Sequence, residues 1–245
     1  MREVRKNVYW GAGTDVNWFV VRDGADLTLI DSGYPRDTKA LLASIDAIGG
    51  RPEDVRAILL THAHVDHMGG INHFHDEYGT PVYMTATETA HARREYLEQA
   101  TELDVARNIW RHGMIGWSAR ITLAGATKKI SIPHAQAFPT PLDLPGSPIP
   151  IPTSGHTSGH CAYYLPAVGA VATGDELVTG HALLRDEGPQ LLPDMFHHNR
   201  SDAIAALGEL ESIEADLLLP GHGRPLDVPI RDAVADVRSR LRHRR

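Results

Sequence analysis

Leu60-Thr61-His62-Ala63-His64-Val65-Asp66-His67-Met68-Gly69-Gly70 places four candidate metal ligands within six consecutive positions, directly after the apolar run Ala57-Ile58-Leu59-Leu60. That run reads as a buried strand. Residues two apart in an extended segment share a side, so His62 and His64 can converge on one ion. Asp66 and His67 follow as the chain turns and can face a second ion or a bound water. Imidazole with carboxylate suits Zn²⁺ or iron, and suits Ca²⁺ or Mg²⁺ poorly because those ions prefer all-oxygen shells. A surface loop that happens to be His-rich is the plainer alternative. What separates the two is where further ligands come from.

Three later segments put ligand-type residues at the ends of apolar runs. Thr153-Ser154-Gly155-His156-Thr157-Ser158-Gly159-His160 follows one strand, Thr173-Gly174-Asp175 follows Ala170-Val171-Ala172, and Pro220-Gly221-His222-Gly223 follows Asp216 to Leu219. Each is an apolar strand leading into a small-residue loop with a His or Asp, and α/β folds assemble sites at strand ends in this way. Around these segments, short strands are expected at Val8–Trp10, Asn17–Val21, Leu27–Ile30, Pro81–Met84, Ile149–Ile151 and Ala162–Leu165. Asp23-Gly24 is a hairpin-type turn. Helical periodicity marks Leu41 to Ile48, with Asp37 as N-cap and Gly49-Gly50 as stop, then 70–78, 202–213 and 230–241. A further helical stretch, residues 85–117, holds Tyr96, Trp110 and Trp117 and is expected to cover the site.

The joint pattern resembles the metallo-β-lactamase superfamily, on His62-Ala63-His64-Val65-Asp66-His67, then His156, Asp175 and His222, with Asp31 in Leu29-Ile30-Asp31-Ser32-Gly33. The resemblance implies an α/β fold, a four-layered αββα sandwich with a dinuclear metal site along one edge, formed as one domain over residues 1–245. By that resemblance His62, His64 and His156 hold a first metal, and Asp66, His67 and His222 a second. Asp175 bridges them, and Asp31 orients a ligand by hydrogen bonding. His160 is expected to support its loop, and among the other histidines His91, His112, His181, His197 and His198 are the candidates to line the pocket.

Two Zn²⁺ ions, with iron or manganese as alternatives, can lower the pKa of a shared water from about 15.7 toward ~7. Hydrolysis then needs no protein nucleophile, and Asp66 is the candidate to orient the water and pass its proton to the leaving group. Asp175 disfavours a true β-lactamase, since those enzymes generally lack the bridging carboxylate. An ester, thioester or lactone of a small molecule is the expected substrate. A mononuclear iron oxidoreductase resembling the sulfur dioxygenases and a metal-dependent phosphodiesterase are the alternatives.

Bulk composition narrows the partners. The 245 residues carry a net charge of −7, with 42% apolar and 22% charged residues. Such a chain has no general attraction for nucleic acid or an anionic membrane. Arg238 to Arg245 is the one basic run and reads as a solvated helix end. One cysteine, Cys161, excludes an internal disulfide and reads as a core thiol in a reducing cytoplasm. No secretory h-region or membrane span is visible. The oligomeric state stays open, a homodimer included.

Overall fold

Phe19, Val21 and Ile30 face one side of their strands and Val20, Leu27 and Leu29 the other, and all are buried. Apolar residues on both faces are what a sheet covered on both sides requires. The computed structural model describes residues 1–243, so Arg244 and Arg245 of the basic tail lie outside the described residues. Strands β1 (Arg2–Arg5), β2 (Val8–Ala12), β3 (Asn17–Asp23), β4 (Asp26–Ile30), β5 (Val55–Leu59), β6 (Val82–Met84) and β7 (Gln136–Ala137) form the first sheet in that order. It is antiparallel as far as β4 and parallel from β4 to β7. Parallel neighbours need crossovers, which α1 (Thr38–Ala47) supplies between β4 and β5 and α2 (Ile71–Tyr78) between β5 and β6.

The second sheet runs β12 (Leu226–Asp227), β11 (Leu217–Pro220), β10 (Ala170–Gly174), β9 (Cys161–Leu165), β8 (Ile149–Pro152), with β10 and β11 parallel. Cys161, Tyr163, Leu165, Ala170, Ala172, Leu217 and Leu219 project onto Phe19, Val21, Ile30 and Leu59 of the first sheet, forming the central core. The alternate residues Ala162, Val171 and Leu218 meet α6 (Arg200–Glu211) and α7 (Ile230–His243) through Leu207, Leu210, Ile230 and Val234. On the far side of the first sheet Val20, Leu29 and Ile58 meet Leu41, Ile45, Ile71 and Phe74 of α1 and α2. Helix, sheet, sheet, helix is the layering expected.

Three local expectations change. Asp37 stands at the start of α1 but caps no helical N–H; its carboxylate accepts from Thr14 N at 3.0 Å, Thr14 Oγ1 at 2.9 Å and Tyr34 N at 3.1 Å. Helix α6 begins at Arg200, ahead of the expected Asp202, because Asn199 is its cap and accepts from Ser201 N and Asp202 N. The stretch 85–117 is not one helix. It divides into α3 (Ala86–Ala92), α4 (Glu102–Arg107) and α5 (Met114–Ala124), with left-handed turns at Arg94 (φ 64°) and Gly113 (φ 79°).

Only α4, α5 and their flanks cover the site, because Ala92 of α3 packs in the first sheet's outer core. Helical apolar periodicity reports burial but not the layer against which a face is buried. No helix among the described residues is long and apolar enough to cross a membrane.

Candidate metal centre

The strand ends that carry the motifs meet along one edge where the two sheets come together. Cys161 N donates to Thr61 O at 3.0 Å, Asn17 N to Gly221 O at 2.8 Å, and Gly221 N to Gly174 O at 2.8 Å. A Cβ on Gly221 would collide with Asp175 Oδ1, so only glycine lets the His222 loop lie against that carboxylate.

All seven expected ligand residues converge there. Ligand atoms of His62, His64 and His156 lie within 4.8 Å of one another, as do those of Asp66, His67 and His222, and those of His62, His67 and Asp175. His156 Nε2 is 3.2 Å from His62 Nε2 and 3.0 Å from His64 Nδ1. Asp175 reaches both groups: Oδ1 is 3.3 Å from His67 Nε2, while Oδ2 is 3.1 Å from His222 Nε2 and 3.5 Å from His156 Nε2.

The outward-facing nitrogens assign the tautomers. Asp31 Oδ2 accepts from Thr61 Oγ1, so Thr61 Oγ1 accepts in turn from His62 Nδ1 at 3.0 Å. His64 Nε2 donates to Glu98 O at 2.6 Å, His67 Nδ1 to Asp31 Oδ2 at 2.8 Å, and His222 Nδ1 to Asp15 O. With those protons committed outward, His62 Nε2, His64 Nδ1, His67 Nε2 and His222 Nε2 present lone pairs inward. His67 Nε2 and Asp175 Oδ1 are buried with no hydrogen-bond partner. Converging lone pairs and orphaned buried acceptors are what a cation resolves, so the donor set fits metal ions. Asp31, held in the left-handed region at φ 59°, also accepts from Thr61 N at 2.8 Å and is the fixed point behind the ligand loop.

Electrostatics follow the same division. Burial, then the fields of neighbouring histidines, pushes His62 and His156 well below the ordinary imidazole range, and His64 is pushed down to about 3. Burial also opposes charge on His67 and His222, but Asp175, Asp66 and, for His67, Asp31 outweigh it and raise both. Asp175 is held well below the carboxylate range because His222 and His67 overcome its burial. Cys161 is a buried core thiol, pushed up to about 12 by desolvation, and so is no nucleophile.

The profile of the metallo-β-lactamase superfamily matches residues 11–222. The chain belongs to the metallo-β-lactamase superfamily. A Bacillus subtilis protein named probable metallo-hydrolase YflN is 26% identical over 207 residues, covering 81% of this chain and 75% of that protein. Among solved structures, a Cronobacter sakazakii metallo-β-lactamase with a HARLDQ motif superposes with a TM-score of 0.68 at 16% identity, over 99% of this chain and 96% of that one. The Thermus thermophilus family protein TTHA1429 gives 0.65 at 21% identity, over 99% and 81%. This superfamily member is thus a metallo-hydrolase with a His/Asp cluster able to hold metal.

Other expected residues sort by position in this superfamily chain. His160 stays out of the cluster: Nδ1 bonds Thr153 Oγ1 at 2.8 Å, and Nε2 accepts from Asp175 N at 3.2 Å, holding the backbone of that carboxylate. His181 lines the pocket, packs edge-on against His222 at 5.0 Å, and is kept neutral by burial with its pKa near 3. His197 lies beside His156, and His198 is half-exposed. His112 is exposed, and His91 is buried behind the ligand loop. Of the three cover aromatics only Trp117 lines the pocket. Tyr96 stacks on His91, and Trp110 is 79% exposed.

Sequence reasoning missed Glu88 and Glu98, which tie the ligand loops together. Buried Glu88 accepts from Ala63 N at 2.7 Å, His91 Nδ1 at 2.7 Å and Thr157 Oγ1 at 2.7 Å. Glu98 accepts from Ser158 N and Oγ at 2.6 and 2.7 Å while its carbonyl holds His64. The Glu88–His91 spacing on one helix was the visible signal. Nothing local marked Glu98. Tyr34 also lines the pocket, its phenol kept protonated by burial and the charge of Asp66.

Proposed function

We propose that the chain is a dinuclear zinc hydrolase cleaving an ester, thioester or lactone bond of a small molecule. The convergence of seven ligand-type side chains, with His67 Nε2 and Asp175 Oδ1 buried and without a hydrogen-bond partner, carries this reading. His62, His64 and His156 would hold one ion, Asp66, His67 and His222 the other, with Asp175 between them. When bound, the ions supply Lewis acidity that polarises the substrate carbonyl and acidifies water from a pKa of about 15.7 toward ~7.

The protein's own part is to position groups and move a proton. Asp66 is the better exposed ligand carboxylate, 15% accessible against 3% for Asp175, and lines the pocket. It takes a proton from the attacking water and returns it to the leaving oxygen or sulfur as the acyl bond breaks. Tyr34 and His181, both neutral, offer donors at the pocket wall. Neutral donors held at a pocket wall can stabilise charge that develops on the substrate. A cytoplasmic location belongs to the same reading, supported by a single buried thiol.

Elemental analysis of protein purified without added metal, followed by a panel of esters, thioesters, lactones, a phosphodiester and nitrocefin, tests the reading. About two zinc ions per chain and cleavage of the carboxylic substrates are expected. One iron without zinc would favour the dioxygenase-like chemistry, and phosphodiester cleavage alone the phosphodiesterase.

A further inference from the structure

The pocket above the His/Asp cluster, about 790 Å³, has two chemically different ends. Near the cluster the wall is apolar, built by Val105 of α4, Trp117 and Ile121 of α5, and Leu192 and Phe196. Toward solvent the lining includes exposed Lys128 and Lys129, which follow α5. The whole chain has only four lysines, Lys6, Lys39, Lys128 and Lys129, so two of them stand together at this mouth. Among the described residues neither has a carboxylate within 4.0 Å, whereas Arg120 on the preceding helix is paired with Asp15.

A third cation lies beneath them. Arg94 lines the same pocket, and its guanidinium donates to the carbonyls of Ile130 and Ala63 at 2.8 and 2.9 Å and to no carboxylate. Through Ile130 it anchors the segment that presents the lysines. Among the described residues outside the ligand set, Glu102 is the only acidic one lining the cavity, and it is exposed. In a chain of net charge −7 this is a local excess of unpaired positive charge. Such a mouth raises the local concentration of anions and steers them inward.

We infer that the substrate is an amphipathic anion: an acyl compound whose apolar chain lies along the α4–α5 wall and whose far end carries a carboxylate or phosphate held at Lys128 and Lys129. This rests on the hydrolytic reading of the cluster. A cavity of this volume accommodates a drug-sized molecule spanning both ends.

The test uses the zinc-loaded full chain with paired p-nitrophenyl esters of equal chain length, one ending in a methyl and one in a carboxylate, across a series of lengths. Exposed ion pairs are individually weak, so two predict a preference for the carboxylated ester of roughly three- to thirty-fold in kcat/KM, expressed mainly in KM. The preference should emerge only once the chain is long enough to reach the mouth, and should shrink in high salt. In Lys128→Ala/Lys129→Ala the ratio should fall toward one. Equal kcat/KM for the two esters in the wild type, or a preference that survives the double substitution, overturns the inference.

If neither ester is cleaved, the full substrate panel decides the hydrolytic reading and calorimetry decides the recognition separately. The N-butyl amides of the same acids should bind more tightly with a terminal carboxylate, and that advantage should vanish in the double variant. Indifference to the terminal charge, or an advantage the lysines do not control, refutes it. A terminal phosphate in place of the carboxylate identifies which anion is preferred.

Discussion

Glu88→Ala is the sharpest test of how the site is held together. The Glu88 carboxylate is fully buried and is the shared acceptor for Ala63 N in the first ligand loop, Thr157 Oγ1 in the second, and His91 Nδ1. All three donors are themselves buried. Each buried polar group left unsatisfied costs about 1–3 kcal/mol. Thr157 can rotate its hydroxyl, which trims the sum to about 3–5 kcal/mol. At about 2–4 °C per kcal/mol for a chain of this size, metal-free protein should melt roughly 6–20 °C lower.

Glu88→Gln keeps an acceptor for Ala63 N and His91 Nδ1 and offers Thr157 a donor, so its loss should be about 1–2 kcal/mol. Zinc affinity, measured by competition with a chromophoric chelator, should fall about 10–100-fold in the alanine variant, because both ligand loops lose their common tie. Burial works against the Glu88 charge, but the hydrogen bond and charge of His91, with Ala63 N and Thr157, hold its pKa below the ordinary 4.5. A depressed folded pKa stabilises fully above the unfolded value and loses that contribution as pH falls through the folded one. The stability gap between wild type and Glu88→Gln should therefore be full near neutrality and close below the ordinary value of 4.5. An alanine variant within about 1 kcal/mol of wild type and with unchanged zinc affinity would refute the reasoning.

Other perturbations separate the parts of the site. Asp175→Ala should stay folded yet retain about one ion or none by elemental analysis, since its carboxylate reaches both ligand groups; wild-type metal content would remove its bridging role. Chelation should abolish turnover and lower the melting temperature, and zinc at about 100 times its Kd should restore about 2.7 kcal/mol; an unchanged melting curve would show that zinc does not bind the native fold. Trp117→Ala opens the apolar wall beside Phe196 and His181, which pack against it at 5.6 Å. It should raise KM for acyl substrates with zinc content intact, and a loss of zinc instead would place Trp117 in the metal scaffold.

Most of the scaffold was legible because its signals are local. The paired apolar faces of Phe19–Val21 and Leu27–Ile30, the helix stop at Gly49 (φ 70°) and the motif at His62–His67 each declare themselves within a few residues. Short edge strands were not legible: Arg2–Arg5, Gln136–Ala137 and Leu226–Asp227 carry little apolar alternation and pair only through their neighbours. The orienting contacts were partly legible. Asp31 stood in a recognisable Asp-Ser-Gly turn, whereas Glu98 holds His64 through a backbone carbonyl, for which any residue type would serve. The division of 85–117 between scaffold and cover was hidden for a related reason, since α3 buries His91 and Ala92 behind the ligand loop with the same spacing a cover helix would show.

That division locates where stability ends and specificity begins. The candidate metal ligands sit on strand ends that are hydrogen-bonded across both sheets, and the outer nitrogens of His62, His64, His67 and His222 are fixed by Thr61, Glu98, Asp31 and Asp15. The cover is built differently. Leu97, Leu103, Ile109, Trp110, Ile115 and Leu123 are exposed, and only Met114, Trp117 and Leu183 form its small buried cluster. A segment with so little buried apolar area has a low local unfolding free energy. Substitutions along α4 and α5 can therefore reshape the substrate wall at small cost to the fold, while the same change behind His62 or His64 reaches the chemistry itself. On the proposed reading the motif would activate water, and the cover would govern which substrate meets it.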